Sequence, residues 1–161
     1  MLKAERISNN EVVDTCHCLN DIVISKNSVA TLLDISINID NDTLTHRADG
    51  FIAATPTGST AYSLSAGGPV VDPTLECMVL TAVCPHTLLN RSIVVSSDTS
   101  VTVNVKAPDN SVIYLSNDGS TAFEVKNNDI IRISKSEYSA SFIKLDNVSV
   151  YKIFSEKTKF Q

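Results

Sequence analysis

The sequence predicts a mainly β fold, a multi-stranded antiparallel domain with one short helix. Three observations carry that expectation. Apolar and polar residues alternate with period two, turn-forming clusters separate the apolar stretches at short intervals, and no long helical segments intervene. The plainest alternations set Ile35, Ile37 and Ile39 against Ser36, Asn38 and Asp40, and Val101, Val103 and Val105 against Thr102, Asn104 and Lys106. Each is the pattern of a strand buried on one face.

In chain order, strands are expected at Val12–Cys18, over the two alternations just named, and at Phe51–Ala54, Met78–Val83, Ser92–Ser96, Val112–Leu115, Ile130–Ser134 and Val148–Phe154. Ser8-Asn9-Asn10, Pro108-Asp109-Asn110, Asn117-Asp118-Gly119 and Asn127-Asn128-Asp129 supply turn chemistry between them. The one helix is expected over Thr60–Ala66, with Thr57 or Ser59 as N-cap and Gly67-Gly68-Pro69 as the stop. No repeat, low-complexity tract or linker divides the chain, which reads as a single domain of 161 residues.

A formal charge of −5 argues against a nucleic-acid groove or an anionic membrane surface, both of which need clustered Lys and Arg. No apolar run approaches the ~20 residues of a spanning helix, and no signal-peptide pattern follows Met1, so a cytoplasmic location is expected. Cys16-His17-Cys18 has the look of a metal fragment. On a strand, however, the two thiols share one face and the imidazole takes the other, and zinc sites space paired cysteines more widely. Cys16, Cys18, Cys77 and Cys84 are read as small reduced side chains, and no metal site is assigned.

Three of the five glycines and two of the five prolines lie in Thr-Pro-Thr-Gly-Ser-Thr-Ala-Tyr-Ser-Leu-Ser-Ala-Gly-Gly-Pro, residues 55–69. A Gly/Ser/Thr loop entering a helix offers free N–H groups, a positive dipole end and hydroxyls, a combination suited to a phosphate or a sugar. It also serves as a plain helix cap. It is not a Walker loop, because Ser59 rather than Lys follows Gly58, and it contains no Gly-x-Ser-x-Gly elbow. Upstream, Asn20-Asp21 sets a carboxamide beside a carboxylate at a strand end, a pair able to grip two ribose hydroxyls. Arg47-Ala48-Asp49-Gly50 lies just ahead of the loop. In isolation, either pair also reads as a turn cap or a surface ion pair.

Leu19-Asn20-Asp21, Arg47–Gly50, residues 55–69, and Pro85-His86-Thr87-Leu88 followed by Arg91 together resemble the C-terminal domain of NAD kinases, over nearly the whole chain. The resemblance implies phosphorylation of the 2′-hydroxyl of the adenosine ribose of NAD to give NADP. The donor would be ATP, accompanied by Mg²⁺ or another divalent metal, or polyphosphate. By position, Asn20 and Asp21 would bind ribose hydroxyls, and Thr60, Ala61, Tyr62 and Ser65, with Ser63 and Leu64 between, would line the adenosine site. Asp49 would receive the nicotinamide carboxamide, with Arg47 the basic residue beside it. Thr31, Thr57, Cys84 and Ser120 fall at further contact positions. Because this part of the family's site can reach a neighbouring subunit's ligand, a homodimer or homotetramer is implied.

The chain departs from the family's usual pattern at Thr81-Ala82-Val83 and Arg91-Ser92, where prolines are common, and at Ser120, where a Gln is common. The family's Gly-Gly-Asp-Gly, whose Asp is the proposed general base, does not occur: Gly67-Gly68 continues into Pro69. The resemblance therefore implies a missing upstream α/β domain of about 100–150 residues, and a last segment, Val150–Gln161, that looks like the enzyme's own terminus. No catalytic residue is assigned, and the chain alone is expected to bind without phosphorylating. The alternative is a stand-alone, non-catalytic module for NAD(P) binding or oligomerisation.

Overall fold

Leu33, Ile35 and Ile37 are buried while Asp34 between them is exposed, and Val101, Val103 and Val105 repeat the pattern around Thr102 and Asn104. In a computed structural model that describes residues 1–27, 31–86, 91–108 and 111–143, with Lys152 and Ser155, such strands form two sheets. The strands are β1 (Leu2–Ser8), β2 (Glu11–Cys18), β3 (Asp21–Lys26), β4 (Leu33–Ile39), β5 (Asp42–Ala48) and β6 (Gly50–Ala54). After the 55–69 segment follow β7 (Cys77–Val83), β8 (Ile93–Ser96), β9 (Val101–Lys106), β10 (Ile113–Asn117), β11 (Ser120–Val125) and β12 (Ile130–Lys135). One six-stranded sheet runs β2-β1-β12-β9-β4-β5 and the other β11-β10-β3-β6-β7-β8. Every pairing is antiparallel.

The sheets enclose one core: Leu2, Ile35, Val103 and Ile131 come from the first, and Ile22, Ile24, Phe51, Met78 and Ile113 from the second. β3, β6 and β7 are also covered on their outer face, where Val23, Ile52, Val71 and Val79 form a smaller cluster with Ala66 against it. That second covering explains why Ile22-Val23-Ile24 shows no alternation.

Two-residue hairpins close β1–β2 at Asn9-Asn10 (φ 51° and 66°) and β10–β11 at Asp118-Gly119 (φ 47° and 79°). Both central residues are left-handed, as turns matched to strand twist require, and Asn, Asp and Gly tolerate that geometry best. Cys18 is fully buried and Cys16 packs on the same core, while His17 faces away to bond Ser136 at 2.9 Å. Burial pushes the Cys18 thiol up to about 12 and that of Cys16 to about 11. At the far end of β1, Arg6 pairs with Asp14 and, at 2.9 Å, with Asp129, whose side chain is 2% exposed.

The helix is shorter than the sequence predicts. Thr57–Thr60 forms a 3₁₀ turn, Ala61 breaks out (φ −94°, ψ −131°), and α1 covers only Tyr62–Ser65. Neither Thr57 nor Ser59 caps it with a side chain. Instead the Thr55 hydroxyl accepts the Gly58 N–H at 3.0 Å, and Ser59 is spent on Pro56 O (2.6 Å) and the Val71 N–H (3.0 Å). A single α-turn has little dipole to offer an anion. The stop is as expected: Gly67 is left-handed (φ 91°), with Gly67 N–H to Leu64 O at 3.0 Å and Gly68 N–H to Ser63 O at 2.8 Å. The strand expected at Val148–Phe154 lies outside the described residues apart from Lys152, which is helical.

Candidate functional site

The turn between β2 and β3 is fixed from two sides before any ligand is considered. From one side, the Thr55 N–H donates to Asn20 O at 2.8 Å and the Thr55 hydroxyl to Leu19 O at 2.6 Å. Gly58 then lies so close that a Cβ would stand 2.0 Å from Asn20 O. Only glycine fits there, which explains Gly58 by contact rather than by turn geometry. From the other side, Asp118 takes the N–H groups of Leu19 (2.7 Å), Asn20 (2.7 Å) and Asp21 (3.2 Å) on its carboxylate. The Asn117 side chain ties to His17 O at 2.8 Å.

Asn20 and Asp21 are thereby presented to a cleft of about 490 Å³, walled by Ala61 and Tyr62 on one side and Ser116, Asp118 and Gly119 on the other. Its floor is Val23 and Ser25, which share the Asp21 face of β3. Asp21 is only 4% exposed. Burial first, and then the charge of Asp118, raise its carboxyl above the ordinary 3.8, with the Tyr62 N–H working against them. A buried carboxylate with acceptor capacity to spare, next to a carboxamide, can take hydroxyl donors.

A second cleft of about 250 Å³ shares Val23, Ser25 and Tyr62 with the first and continues to Lys26, Asp49, Gly50 and Val83. Tyr62, 47% exposed, stands between the two. In the second cleft Lys26 Nζ lies 3.2 Å from Asp49 Oδ1.

The structure thus brings Asn20, Asp21, Ala61, Tyr62 and Asp49 together and separates the other predicted residues. Arg47 sits on edge strand β5, 66% exposed, pairs with Asp34 at 3.3 Å and lines a different cleft with His46 and His86. It is not beside Asp49's carboxylate in this chain. Ser63 is fully buried, its hydroxyl turned to Thr81 at 3.4 Å, and so anchors α1 to β7. Thr60 and Ser65 are exposed, Leu64 is half-buried, and none of the three lines either cleft. Thr57 opens onto a separate depression with Leu19 and Phe142, and Ser120 follows Gly119 at the start of β11. Thr31 lies ahead of β4, and Cys84 is exposed and left-handed (φ 46°) after Val83. Neither lines the two clefts.

Sequence reasoning missed Lys26, Thr55, Ser116 and the clamping role of Asp118. For Asp118 the signal was present: Asn-Asp-Gly marks a hairpin tip, but only pairing of β10 with β3 reveals what the tip touches.

Two antiparallel sheets with paired polar clefts along β3 define the class: a β domain built around a concave polar site. A family model for the ATP-NAD kinase C-terminal domain matches residues 19–145, and the chain belongs to that family. It is 39% identical over 161 residues to an NAD kinase of Geotalea daltonii and 42% identical over 161 residues to one of Carboxydothermus hydrogenoformans. Each match covers 99% of this chain and 56% or 57% of the relative, so the chain spans about half the length of these curated relatives. Among solved structures it is similar to yeast NADH kinase complexed with NADH (TM-score 0.73, 31% identity, 83% of this chain and 39% of the other). It is also similar to an NAD kinase from Archaeoglobus fulgidus in complex with ATP (TM-score 0.67, 30% identity, 85% and 51%). The multi-stranded antiparallel β domain that the sequence predicts is the fold of the matched part of these kinases.

Proposed function

We propose that the chain is the dinucleotide-binding β domain of an NAD kinase, which transfers a phosphoryl group from ATP or polyphosphate to the 2′-hydroxyl of the adenosine ribose of NAD. The observation that carries the reading is Asp21: a buried carboxylate beside Asn20, in a turn fixed from two sides and opening into a cleft of small-molecule size. Asn20 and Asp21 take ribose hydroxyls, Ala61 and Tyr62 flank the adenosine, and Asp49 in the adjoining cleft takes the nicotinamide carboxamide. The general base belongs to a Gly-Gly-Asp-Gly segment that these 161 residues do not contain. On this reading the present residues bind and orient NAD and do not deprotonate its hydroxyl.

Among the described residues no group of three or more His, Cys, Asp or Glu side chains could hold a metal ion. The divalent ion expected with ATP is therefore given no ligands here. Arg47, Thr60, Ser63, Leu64 and Ser65, and Thr31, Thr57, Cys84 and Ser120, keep only secondary or structural parts. Exposure of the Arg47 side chain on β5, the last strand of the first sheet, supports a role toward a neighbouring copy, in a homodimer or homotetramer. The reading places the protein in the cytoplasm; the described cysteines are free thiols and no described helix is long and apolar enough to cross a membrane.

Calorimetry of the chain with NAD, NADP and ATP tests the assignment. Binding of NAD or NADP without NADP formation from ATP and Mg²⁺ is expected. Turnover by the 161 residues alone would overturn the placement of the base, and failure to bind any dinucleotide would overturn the site.

A further inference from the structure

Lys26 ends β3 with its side chain 3% exposed, and among the described residues its ammonium makes no hydrogen bond. Among the described residues its ion-pair partner is Asp49, whose Oδ1 lies 3.2 Å away but off the line that a hydrogen bond needs. Asp49 is 47% exposed, and both residues line the second cleft. The arrangement is layered: a covered cation lies behind a carboxylate that faces the cleft. A carboxylate alone at that position would attract any ligand cation, whereas one backed by an ammonium offers acceptor oxygens with little net charge. Burying an ammonium is costly, and among the described residues this one has no second acceptor to offset it.

We infer that Lys26, acting through Asp49, sets how this cleft treats the charge of its ligand, so that a cationic oxidised nicotinamide ring and a neutral reduced one are accepted on similar terms. The inference rests on the proposed function, because it needs the nicotinamide end of a dinucleotide to lie at Asp49. Lys26 is a positioning and specificity residue here and has no part in the chemical step. Its charge, 3.2 Å behind the carboxylate, offsets the carboxylate's field at the ring.

The test compares affinities of the full chain for oxidised NAD, NADH and ADP-ribose, the last lacking the nicotinamide. In Lys26→Met and Lys26→Gln, both neutral, the ratio of affinities for NAD over NADH should rise about fivefold, since the pyridinium now faces an uncompensated carboxylate. Lys26→Arg should keep the parent ratio. ADP-ribose affinity should stay within about twofold throughout, which also shows that each variant is folded. Should Lys26→Met fail to fold, Lys26→Gln decides. A ratio unchanged in the folded neutral variants overturns the inference and leaves the proposed function standing. Absence of ADP-ribose and NAD binding in the parent chain overturns both.

Discussion

Asp21 and Tyr62 line one cleft from the head of β3 and the start of α1, and the Tyr62 backbone N–H acts to lower the nearly buried Asp21 carboxyl. Because burial and the Asp118 charge outweigh that N–H, the folded state holds the Asp21 proton more tightly than the unfolded chain does. A raised carboxyl costs the fold stability once pH rises past the ordinary 3.8. Asp21→Asn keeps the size and shape of the side chain and cannot ionise. Its melting temperature relative to the parent should therefore climb from acid to neutral pH, and thermal unfolding across that range checks it. A pH-independent difference would contradict the assigned burial cost. Asp21→Ala should weaken NAD binding about tenfold or more by calorimetry.

Gly58 meets Asn20 backbone to backbone, so no rotamer can relieve an added methyl group. Gly58→Ala should cost about 3 kcal/mol or more in denaturant unfolding, as overpacking against rigid neighbours does. Gly67→Asn is the contrast: its position is left-handed with nothing within 4 Å, which Asn tolerates. A loss under about 0.5 kcal/mol is expected there.

Asp118 has its own signature. Asp118→Ala removes an acceptor from three N–H groups and a residue suited to φ 47°. We expect about 2 kcal/mol of lost stability, given bonds to a charged acceptor at a partly solvated site. Asp118→Asn keeps the turn and one acceptor oxygen and should lose less. Hydrogen exchange at Leu19 and Asn20 should speed up in both, more in the Ala variant.

Arg6 and Asp129 form a structural pair whose pH behaviour is opposite to that of Asp21. Burial acts to raise the Asp129 carboxyl, but the Lys126 N–H and the Arg6 guanidinium outweigh it and hold it below 3.8. Its stabilising effect is present above that value and disappears as pH falls through the depressed one. Arg6→Met should lose about 2 kcal/mol or more at neutral pH, by stranding a buried carboxylate, and less in acid. Urea unfolding of parent and variant at the two pH values measures the difference.

The strands read correctly were those with one wet face, such as β4 and β9, or with a compact apolar run, such as β7. β3 was hidden because both faces are covered, and β5 and β11 because edge strands such as Asp-Thr-Leu-Thr-His-Arg-Ala carry little apolar patterning. The site was legible as ordered short motifs: Asn20, Asp21, Tyr62 and Asp49 do converge. What stayed illegible was side-chain direction. Nothing in Thr-Ala-Tyr-Ser-Leu-Ser says that Ser63 turns inward to Thr81, nor that Arg47 and Asp49, two residues apart, serve different clefts. The helix was overextended because Ser59, which looks like a cap, spends its hydroxyl on Pro56 O and on the Val71 N–H, and Ala61 breaks the helical backbone.

The Asp118 clamp reaches back to a partner 99 residues earlier in the chain, at Leu19. Contacts that distant form only after β10 and β11 have been made and have found β3, and such long closures are slow steps in folding. A nascent or proteolysed chain that stops short of Asp118 has β3 and the 55–69 loop but lacks the wall that shapes Asn20 and Asp21. On the proposed function, dinucleotide binding at this cleft would report that the second sheet has been completed, and a chain ending before Asp118 should fail to bind.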